Sequence, residues 1–290
     1  MEIGLNLNTK VKELHISILD MFKNTDVEKI ASAFLEISSE QRLNILLRLV
    51  KGKTKMSTLA KELDATVPEI HRNFTRMSKA GLIQKDLDGD YDLTLYGKTV
   101  FEQIPSIMFV SNNKNYFKTH TFSGIPAKFI QRIGALDDSI LHNSYIKVME
   151  CWNDIYKNSE DYIYNILVEV SYSSDLIKIL TDRLKNNVKV KSIFSESAIV
   201  SKERKSLIKQ PLFKKFITEE SIKRKMNKKI NIVIILNEKE AGICFPTSTG
   251  DVDMSKMLYS TSQLFHEWCL DYFDHLWKSS TTFQENKLVS

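Results

Sequence analysis

Apolar residues recur at three- and four-residue spacing through the first part of the chain, which is the pattern of amphipathic helices. This pattern predicts a helix over residues 9–24 and a second helix from the capping box Thr25-Asp-Val-Glu28 through Leu35. Another capping signal at residues 38–41 precedes a leucine-rich stripe, and a short helix is predicted over Ser57–Leu63. The N-terminal third is therefore predicted to be mainly helical.

The next helix carries the clearest start signal in the sequence. Thr66-Val-Pro-Glu69 combines an N-cap hydroxyl, a proline in the first turn and a glutamate that can bond back to the cap. Val67, Ile70, Phe74 and Met77 continue an apolar stripe, and we predict that they pack inward. The side chains left on the open faces are Glu69, His71, Arg72, Asn73, Thr75, Arg76 and Lys79.

A glycine and a predicted hairpin follow this helix. Gly81 is expected to end the helix in the left-handed conformation. Two strand-like runs, 82–87 and 91–95, then flank Asp88-Gly89-Asp90, which is a strong hairpin signal. Helices followed by a recognition helix and a hairpin predict a winged helix-turn-helix over residues 38–97.

Beyond residue 97 the pattern becomes mixed helix and strand. Residues 98–118 are predicted to be a linker helix, broken at Pro105, and a hinge. Residues 162–194 predict a strand–helix–strand crossover, which implies parallel pairing. The predicted strands are 162–170, 188–194, 230–236 and 241–245, and the predicted helices are 174–184 and 259–278.

The fold class predicted for the whole chain is α/β. It joins a mainly helical winged helix-turn-helix with a β-hairpin to a C-terminal α/β domain, residues 119–280, whose sheet is partly parallel. Residues 1–37 are predicted to be N-terminal helices and are the candidates for dimerisation. Residues 281–290 are predicted to be a disordered tail.

Composition narrows the class of protein. A length of 290 residues suits about two domains, and 42% hydrophobic with 27% charged residues is typical of soluble globular proteins. No run approaches the roughly 20 apolar residues of a membrane helix, and no secretory signal is visible. Three widely spaced cysteines argue against a disulfide framework or a thiolate zinc site. We therefore expect a cytoplasmic protein that needs no membrane, metal or cofactor.

Positive charge is concentrated in two segments, although the net charge is only +5. Residues 39–85 hold 10 Lys or Arg against 4 Asp or Glu, which suits a surface that contacts phosphates. Residues 185–230 hold 14 against 4, which predicts either a mobile, solvated helical region or an anion site for an effector or flanking DNA. The candidate ligands of that anion site are Arg204, Lys205, Arg224 and Lys225.

The predicted recognition helix supplies most of the candidate DNA contacts. Arg and Asn can form paired hydrogen bonds to base edges, whereas Thr, Ser and Lys reach phosphates. The candidate set is Ser57, Thr66, Glu69, His71, Arg72, Asn73, Thr75, Arg76, Lys79 and Lys85. His71 has an equal claim to be a solvent-facing histidine without a base contact. The hairpin tip carries four aspartates between residues 86 and 92, so sequence reading is assigned to Thr66–Lys79 rather than to the hairpin.

Five motifs, in this order, resemble the arsenic-repressor-type (ArsR-like) and related archaeal regulators. They are Ser39-Glu-Gln-Arg42-Leu-Asn-Ile-Leu46, Leu59-Ala-Lys-Glu-Leu63, Val67-Pro-Glu-Ile70-His-Arg-Asn-Phe74, Ala80-Gly-Leu-Ile83 and Tyr91-Asp-Leu-Thr94-Leu-Tyr-Gly97. The sequence lacks the cysteine pair that metal-sensing members place on a helix, so the resemblance does not imply metal sensing.

Further motifs extend the resemblance to the FilR-type archaeal regulators, winged-helix transcription factors named from methanogenesis regulation. It covers roughly residues 38–278. The motifs are Ile125-Pro-Ala-Lys-Phe-Ile-Gln-Arg-Ile-Gly-Ala-Leu136, Phe245-Pro246 with Gly250-Asp-Val-Asp253, and Phe265-His-Glu-Trp268 with Tyr272-Phe273 and Leu276-Trp277. The resemblance implies a regulator with an effector or assembly domain, and it does not imply a role in methanogenesis.

The predicted function is sequence-specific DNA binding in transcriptional regulation. A homodimer would dock two recognition helices on double-stranded DNA about one helical turn apart, and an unidentified small-molecule effector in the α/β domain would change their placement. The first alternative is a protein- or anion-binding module that uses the winged helix for protein contact, and the acidic hairpin favours it. The second alternative is an enzyme on the α/β domain. It is disfavoured because the sequence has no second histidine four residues after His266, no Gly-rich phosphate loop, no nucleophile elbow and no HxK motif.

Overall fold

A computed structural model describes residues 26–170 and 173–287 of the chain. The chain divides into two compact units, residues 1–105 and 106–290. The helix predicted over residues 9–24 lies outside the described residues.

The described part of the N-terminal unit contains the other predicted helices and the hairpin in the predicted order. The elements are α1 (Val27–Ile37), α2 (Glu40–Val50), α3 (Met56–Glu62), α4 (Val67–Lys79), β1 (Ile83–Lys85), β2 (Tyr91–Leu93) and the start of α5 (Leu95–Asn112). The helix starts differ from the predicted ones by one or two residues. The side chain of Asp26 caps α1 by accepting a hydrogen bond from the Lys29 backbone N–H, and the predicted cap, Thr25, lies outside the described residues.

The core of the N-terminal unit is built around the inner face of α4. Ile70, Phe74 and Met77 have no exposed surface, as the helical spacing predicted. Phe74 meets the Tyr91 ring of the hairpin edge-on, with the ring centroids 4.4 Å apart. The buried residues of α2, α3 and the hairpin complete this cluster: Ile45, Leu46, Leu49, Leu59, Ala60, Leu82, Ile83 and Leu93.

The hairpin has the tight turn that the sequence predicted. Gly81 and Gly89 adopt φ values of +75° and +85°, which favour glycine. The carboxylate of Asp86 accepts hydrogen bonds from the backbone N–H groups of Asp88 and Asp90 and so closes the turn. The Asp86 carboxylate, one of the four in the hairpin, therefore has a structural role.

The C-terminal unit contains one eight-stranded mixed sheet. From one edge to the other, the strands follow the order Thr281–Thr282, Ile222–Asn227, Lys189–Val200, Tyr162–Val170, Val233–Leu236, Ala241–Cys244, Met257–Ser260 and Ile140–His142. β4 (Tyr162–Val170), β5 (Lys189–Val200) and β6 (Ile222–Asn227) pair in parallel, and the other neighbours pair antiparallel. The remaining strands are β3 (Ile140–His142), β7 (Val233–Leu236), β8 (Ala241–Cys244), β9 (Met257–Ser260) and β10 (Thr281–Thr282). The α/β fold class and the partly parallel sheet are confirmed.

Helices cover both faces of this sheet. On one face, α7 (Tyr145–Asn158), α8 (Ser174–Lys185) and α10 (Pro211–Thr218) pack against the strands. On the other face lie α6 (Ala127–Ile130) and α11 (Gln263–Ser279), and Trp268 of α11 is fully buried there. α9 (Lys202–Ile208) and 3-10 turns at 116–118, 133–136 and 285–287 complete the described elements. The unit is therefore a three-layer helix–sheet–helix arrangement.

Several elements differ from the sequence predictions. Residues 222–227 form β6 rather than part of a mobile helical region, because Ile222 and Met226 pack against the core while Lys225, on the opposite face, lies over the Trp277 ring. Residues 259 and 260, predicted as the start of the last helix, belong to β9, because this strand pairs with β8. α5 continues through Pro105, which removes one helical hydrogen bond without ending the helix.

The predicted disordered tail is wrong for its first residues. Thr281 and Thr282 form β10 and pair with Met226 and Lys225 at the edge of the sheet. Phe283 packs against the core with its ring centroid 5.2 Å from that of Phe194. Threonine has a high β propensity and the partly buried Phe283 ring adds apolar contact, so this segment is ordered against the sheet.

We expect Phe74→Ala to lower the free energy of unfolding of the N-terminal unit by about 3–5 kcal/mol, because it removes a fully buried ring from a close-packed core. Denaturant unfolding followed by circular dichroism measures this change. Ser78→Ala, at an exposed position of the same helix, should stay within about 0.5 kcal/mol of the original chain. A loss of less than about 1 kcal/mol for Phe74→Ala would contradict the packing of α4.

Candidate functional site

The outer face of α4 is open to solvent. His71, Arg72, Thr75 and Lys79 are exposed and lie on one side of the helix, because they are spaced three or four residues apart. With residues of α1, among them Glu36, they line a shallow open concavity. Among the described residues, none of these four side chains has a hydrogen-bond or ion-pair partner. This face therefore offers two cations and two short polar groups to a ligand.

Arg76, on the same face, is held by a carboxylate. Its Nε and Nη2 atoms donate to the two oxygens of Glu36 at 2.7 and 2.9 Å. The hydrogen bond from Arg76 is the main reason that the pKa of Glu36 lies below its ordinary value. Two of the N–H donors of the Arg76 guanidinium are thus already bonded to Glu36. Arg76 can form a bidentate contact with a base edge through these donors only if its hydrogen bonds to Glu36 break.

The position of Glu36 depends on a buried arginine of α2. Arg42 is 7% exposed, and its guanidinium donates to the backbone oxygens of Leu35 and Glu36, both at 2.6 Å. These carbonyls belong to the last turn of α1, where the helix itself provides no donors. Burial lowers the pKa of Arg42 from its ordinary value. Arg42 therefore fastens the end of α1 to α2 and keeps Glu36 within reach of Arg76.

Three further predicted contact residues have partners within the fold. The Glu69 carboxylate accepts hydrogen bonds from the backbone N–H and the hydroxyl of Thr66 at 3.0 and 2.8 Å. The hydrogen bond from the Thr66 hydroxyl is the main reason that the pKa of Glu69 is lowered. The Asn73 amide donates to the Gln41 side chain of α2. Thr66 and Glu69 therefore fix the start of α4, and Asn73 fixes its position against α2.

The two candidates outside α4 are also exposed. Ser57 lies in the first turn of α3, and Lys85 lies at the end of β1. The ammonium group of Lys85 is 5.8 Å from the centre of the Tyr91 ring. Nearby, Lys53 forms an ion pair of 2.8 Å with Asp86. That pair neutralises part of the acidic hairpin.

Internal pairing reduces the positive charge that residues 39–85 present to a partner. Arg42 is buried, while Arg48, Lys53 and Arg76 are paired with Glu62, Asp86 and Glu36. The basic residues of this segment that remain exposed and outside these pairs are Lys51, Lys55, Lys61, Arg72, Lys79 and Lys85. The number of exposed, unpaired basic residues is therefore smaller than the sequence count suggested, and two of them, Arg72 and Lys79, lie on α4.

Strand register separates two of the four candidate anion ligands of the C-terminal unit, Arg224 and Lys225. The Arg204 side chain lies outside the described residues, and Lys205 lies on α9. Arg224 and Lys225 are neighbours on β6, so their side chains point to opposite faces of the sheet. Lys225 donates to the Trp277 carbonyl at 2.8 Å on one side, whereas Arg224 lines a cavity on the other.

That cavity was not predicted from the sequence. Its lining is mostly apolar and includes Trp152, Phe194 and Phe213, with Ser192 and Arg224 among the polar residues. One signal was visible in the sequence, because Asn165 and Ser192 are uncharged polar residues inside the predicted strands 162–170 and 188–194. Their alignment with Arg224 depends on the strand register, which a single sequence does not show.

The other site types to be placed in residues 26–170 and 173–287 are metal-binding groups, membrane helices and reactive thiols. No group of three or more His, Cys, Asp or Glu side chains there is placed to hold a metal ion. None of the helices in this part of the chain is both long enough and apolar enough to cross a membrane. Cys151, Cys244 and Cys269 are buried, and burial raises the pKa of the Cys151 thiol to about 12.

Residues 31–112 match the family described as the HVO_A0261 N-terminal domain. This range contains α4, the hairpin and the whole of α5. None of the curated proteins matches the chain.

Three solved structures are similar to the chain at low identity. TrmBL2, an archaeal chromatin protein, has 10% identity and a TM-score of 0.40 over 82% of this chain and 92% of its own. Nuc of Salmonella typhimurium, a phospholipase D family member, has 11% identity and a TM-score of 0.35 over 47% of this chain and 91% of its own. NucT from Helicobacter pylori has 11% identity and a TM-score of 0.36 over 48% and 92%. These are loose likenesses, and none assigns a function to this chain.

We expect Glu36→Gln to lower the free energy of unfolding at neutral pH and to have little effect in acid. Because the folded-state pKa of Glu36 lies below its ordinary value of 4.5, the ionised carboxylate stabilises the folded chain above about pH 4.5. This contribution is lost as the pH falls through the lowered pKa. Denaturant unfolding at a series of pH values measures it.

Glu102→Gln is the matched control, since Glu102 is exposed and has no ion-pair partner among the described residues. Its free energy of unfolding should differ little from that of the original chain at every pH. An equal effect of Glu36→Gln at neutral and acid pH would show that the Glu36–Arg76 pair does not stabilise the fold.

Proposed function

We propose that the chain is a non-catalytic, cytoplasmic transcriptional regulator whose N-terminal unit is a winged helix-turn-helix that binds double-stranded DNA through α4. The observation that carries the proposal is the outer face of α4, where Arg72, Thr75 and Lys79 are exposed while the opposite face is fully buried. An α-helix fits the major groove of DNA, and an arginine can pair with a guanine edge or a phosphate. Threonine and lysine suit phosphate contacts.

Hydrogen bonds within the fold distinguish the residues of α4 that are available to DNA from those that position the helix. Arg72 and Lys79 are the direct contact residues, because no described residue holds them. Arg76 is a conditional contact, since binding to DNA would compete with its bonds to Glu36. Thr66, Glu69 and Asn73 position the helix and act on DNA through it. The residues proposed to contact base edges are therefore Arg72 and its neighbours His71 and Thr75.

The proposed regulator is a homodimer in which α1 of one copy packs against α1 of the other. None of the eleven residues of α1 is buried, and Val27, Phe34 and Leu35 are 74%, 55% and 55% exposed. A second copy of the same apolar helix would cover these side chains and remove them from water. Two copies of α4 would then bind half-sites about 34 Å apart on the DNA.

The C-terminal unit is proposed to be the effector-sensing part of the regulator. It has its own two-layer core around the sheet, and it contains the cavity beside Arg224. A ligand there would alter DNA binding only if it bound the DNA-competent state with a different affinity.

We expect Arg72→Ala and Lys79→Ala to weaken binding to genomic DNA fragments, because each removes a cation that faces solvent and has no partner among the described residues. If a residue contacts a phosphate, its loss should lower the dependence of log affinity on log salt by about 1, and loss of a base contact should cost about 1–3 kcal/mol. Fluorescence anisotropy at two salt concentrations measures both quantities.

Lys147→Ala is the matched control, because Lys147 is exposed on α7 in the C-terminal unit. Its affinity and salt dependence should equal those of the original chain. Arg76→Ala is less clean, since it also leaves the Glu36 carboxylate without its partner. If Arg72→Ala and Lys79→Ala both bind like the original chain, the assignment of α4 as the recognition helix is wrong.

We expect Phe34→Glu to convert a dimer into a monomer, because a charge on α1 would oppose the burial of its apolar face. Sedimentation equilibrium measures the mass. Leu87→Glu, at an exposed leucine of the hairpin, should leave the dimer intact. A monomeric original chain, or a dimeric Phe34→Glu variant, would disprove the α1 interface.

A further inference from the structure

A cavity of about 110 Å³ lies on one face of the sheet in the C-terminal unit. α7, α8, α10 and the parallel strands enclose it, and most of its lining is apolar. Trp152 and Phe213 supply aromatic walls, and Leu180 and Ile222 supply aliphatic ones. Such a lining with a few polar groups is typical of sites for small organic molecules.

A row of polar residues crosses the three parallel strands at this cavity. Asn165 on β4 pairs with Ser192 on β5, and Ser192 pairs with Arg224 on β6. Residues that are paired across adjacent strands lie on the same face of the sheet, so the three side chains form one line. Ser192 and Arg224 both line the cavity. The polar end of the cavity is therefore built by strand register.

The first part of this row is hydrogen-bonded and buried. Asn165 is fully buried and Ser192 is 6% exposed. The Tyr156 hydroxyl donates to Oδ1 of Asn165 at 3.3 Å, and Nδ2 of Asn165 is 3.5 Å from the Ser192 hydroxyl oxygen. Because Ser192 accepts from Asn165, its own hydroxyl hydrogen is directed elsewhere, and no acceptor for it is found among the described residues. Buried polar groups cost free energy unless they are bonded, so this arrangement favours an acceptor in the cavity.

Arg224 places a cation at the end of the row. Its guanidinium carbon lies 4.1 Å from the centre of the Phe283 ring, a distance at which cation and ring attract each other. Its Nη1 atom is buried. Lys225, the next residue, points to the opposite face. Glu169 also lines the cavity, but its side chain is exposed and solvated.

We propose that this cavity binds a small monocarboxylate with an apolar body. The carboxylate accepts hydrogen bonds from the Arg224 guanidinium and the Ser192 hydroxyl, and the body lies among the aromatic and aliphatic walls. The cavity volume of about 110 Å³ is below the roughly 150 Å³ that holds benzene, but the exposed lining residues Tyr145 and Glu169 leave it open to solvent. The body is therefore at most one six-membered ring, which fills the cavity and extends into its mouth. The use of this ligand as an effector rests on the proposed function, whereas the binding itself does not.

Calorimetric titration of the full chain with benzoate, benzyl alcohol and benzylamine tests the chemistry of the site. These probes share one ring and differ in the charge of the polar end. Benzoate should bind at least about tenfold more tightly than benzyl alcohol, because a charge-assisted bond to arginine is lost with the alcohol. Equal or tighter binding of the alcohol or the amine, or no binding of any probe, overturns the proposal. Quenching of Trp152 fluorescence provides a second readout of the cavity.

Two variants locate the site. Arg224→Gln should weaken benzoate binding at least about tenfold, whereas Lys225→Gln, one residue away on the opposite face, should leave it within about twofold. Equal losses in both variants would place the effect in bulk charge and overturn the proposal. Ser192→Ala removes the hydroxyl without adding volume and should weaken benzoate binding severalfold, which keeps the test decisive if Arg224→Gln does not fold.

DNA affinity measured on the same samples separates the two proposals. Benzoate binding by a chain that does not bind DNA would support the cavity and contradict the proposed function. DNA binding by a chain that ignores benzoate would support the proposed function and overturn the cavity.

Discussion

Burial of the sheet on both faces is the constraint on which the C-terminal unit depends. All residues of β7 and β8 are buried, so helices must cover both sides of these strands. Because successive residues of a strand point to opposite faces, the two layers receive different chemistry from the same segment. β6 shows this directly, since Lys225 joins the layer of α11 while Arg224 joins the layer that contains the cavity.

The N-terminal unit follows the same rule with a helix in place of a sheet. Burial of Ile70, Phe74 and Met77 sets the rotation of α4 about its axis, and that rotation decides which polar residues face outward. The bonds of Arg42 and Glu36 then select among them. A cationic residue adds charge to a binding surface only when it is neither buried nor paired with a carboxylate of the same chain. The net charge counted along a segment therefore exceeds the charge that its surface presents.

The two proposed activities use different physical effects. Binding at α4 is a surface interaction, in which exposed cations release counterions from phosphates and depend strongly on salt. Binding at the cavity is a burial effect, in which apolar walls supply affinity and one arginine supplies selectivity. Each unit has a separate hydrophobic core, so each activity can be measured and disrupted independently. Any coupling between them must come from a difference in ligand affinity between two states of the chain.

The sequence by itself determined the elements whose signals are local. The capping box at Thr66, the glycine at position 81 and the Asp-Gly turn each act within a few residues, and α4 and the hairpin formed where they indicated. The tertiary structure alone decided the pairing of Glu36 with Arg76, the burial of Arg42, and the line formed by Asn165, Ser192 and Arg224. These contacts join residues 27 to 40 positions apart, or carbonyls across a helix end, and they exist only after packing and strand register bring them together. For the same reason β6 was not predicted from the sequence, because its basic residues suggested a solvated segment. Pairing with neighbouring strands and contacts with aromatic rings stabilise it as a strand.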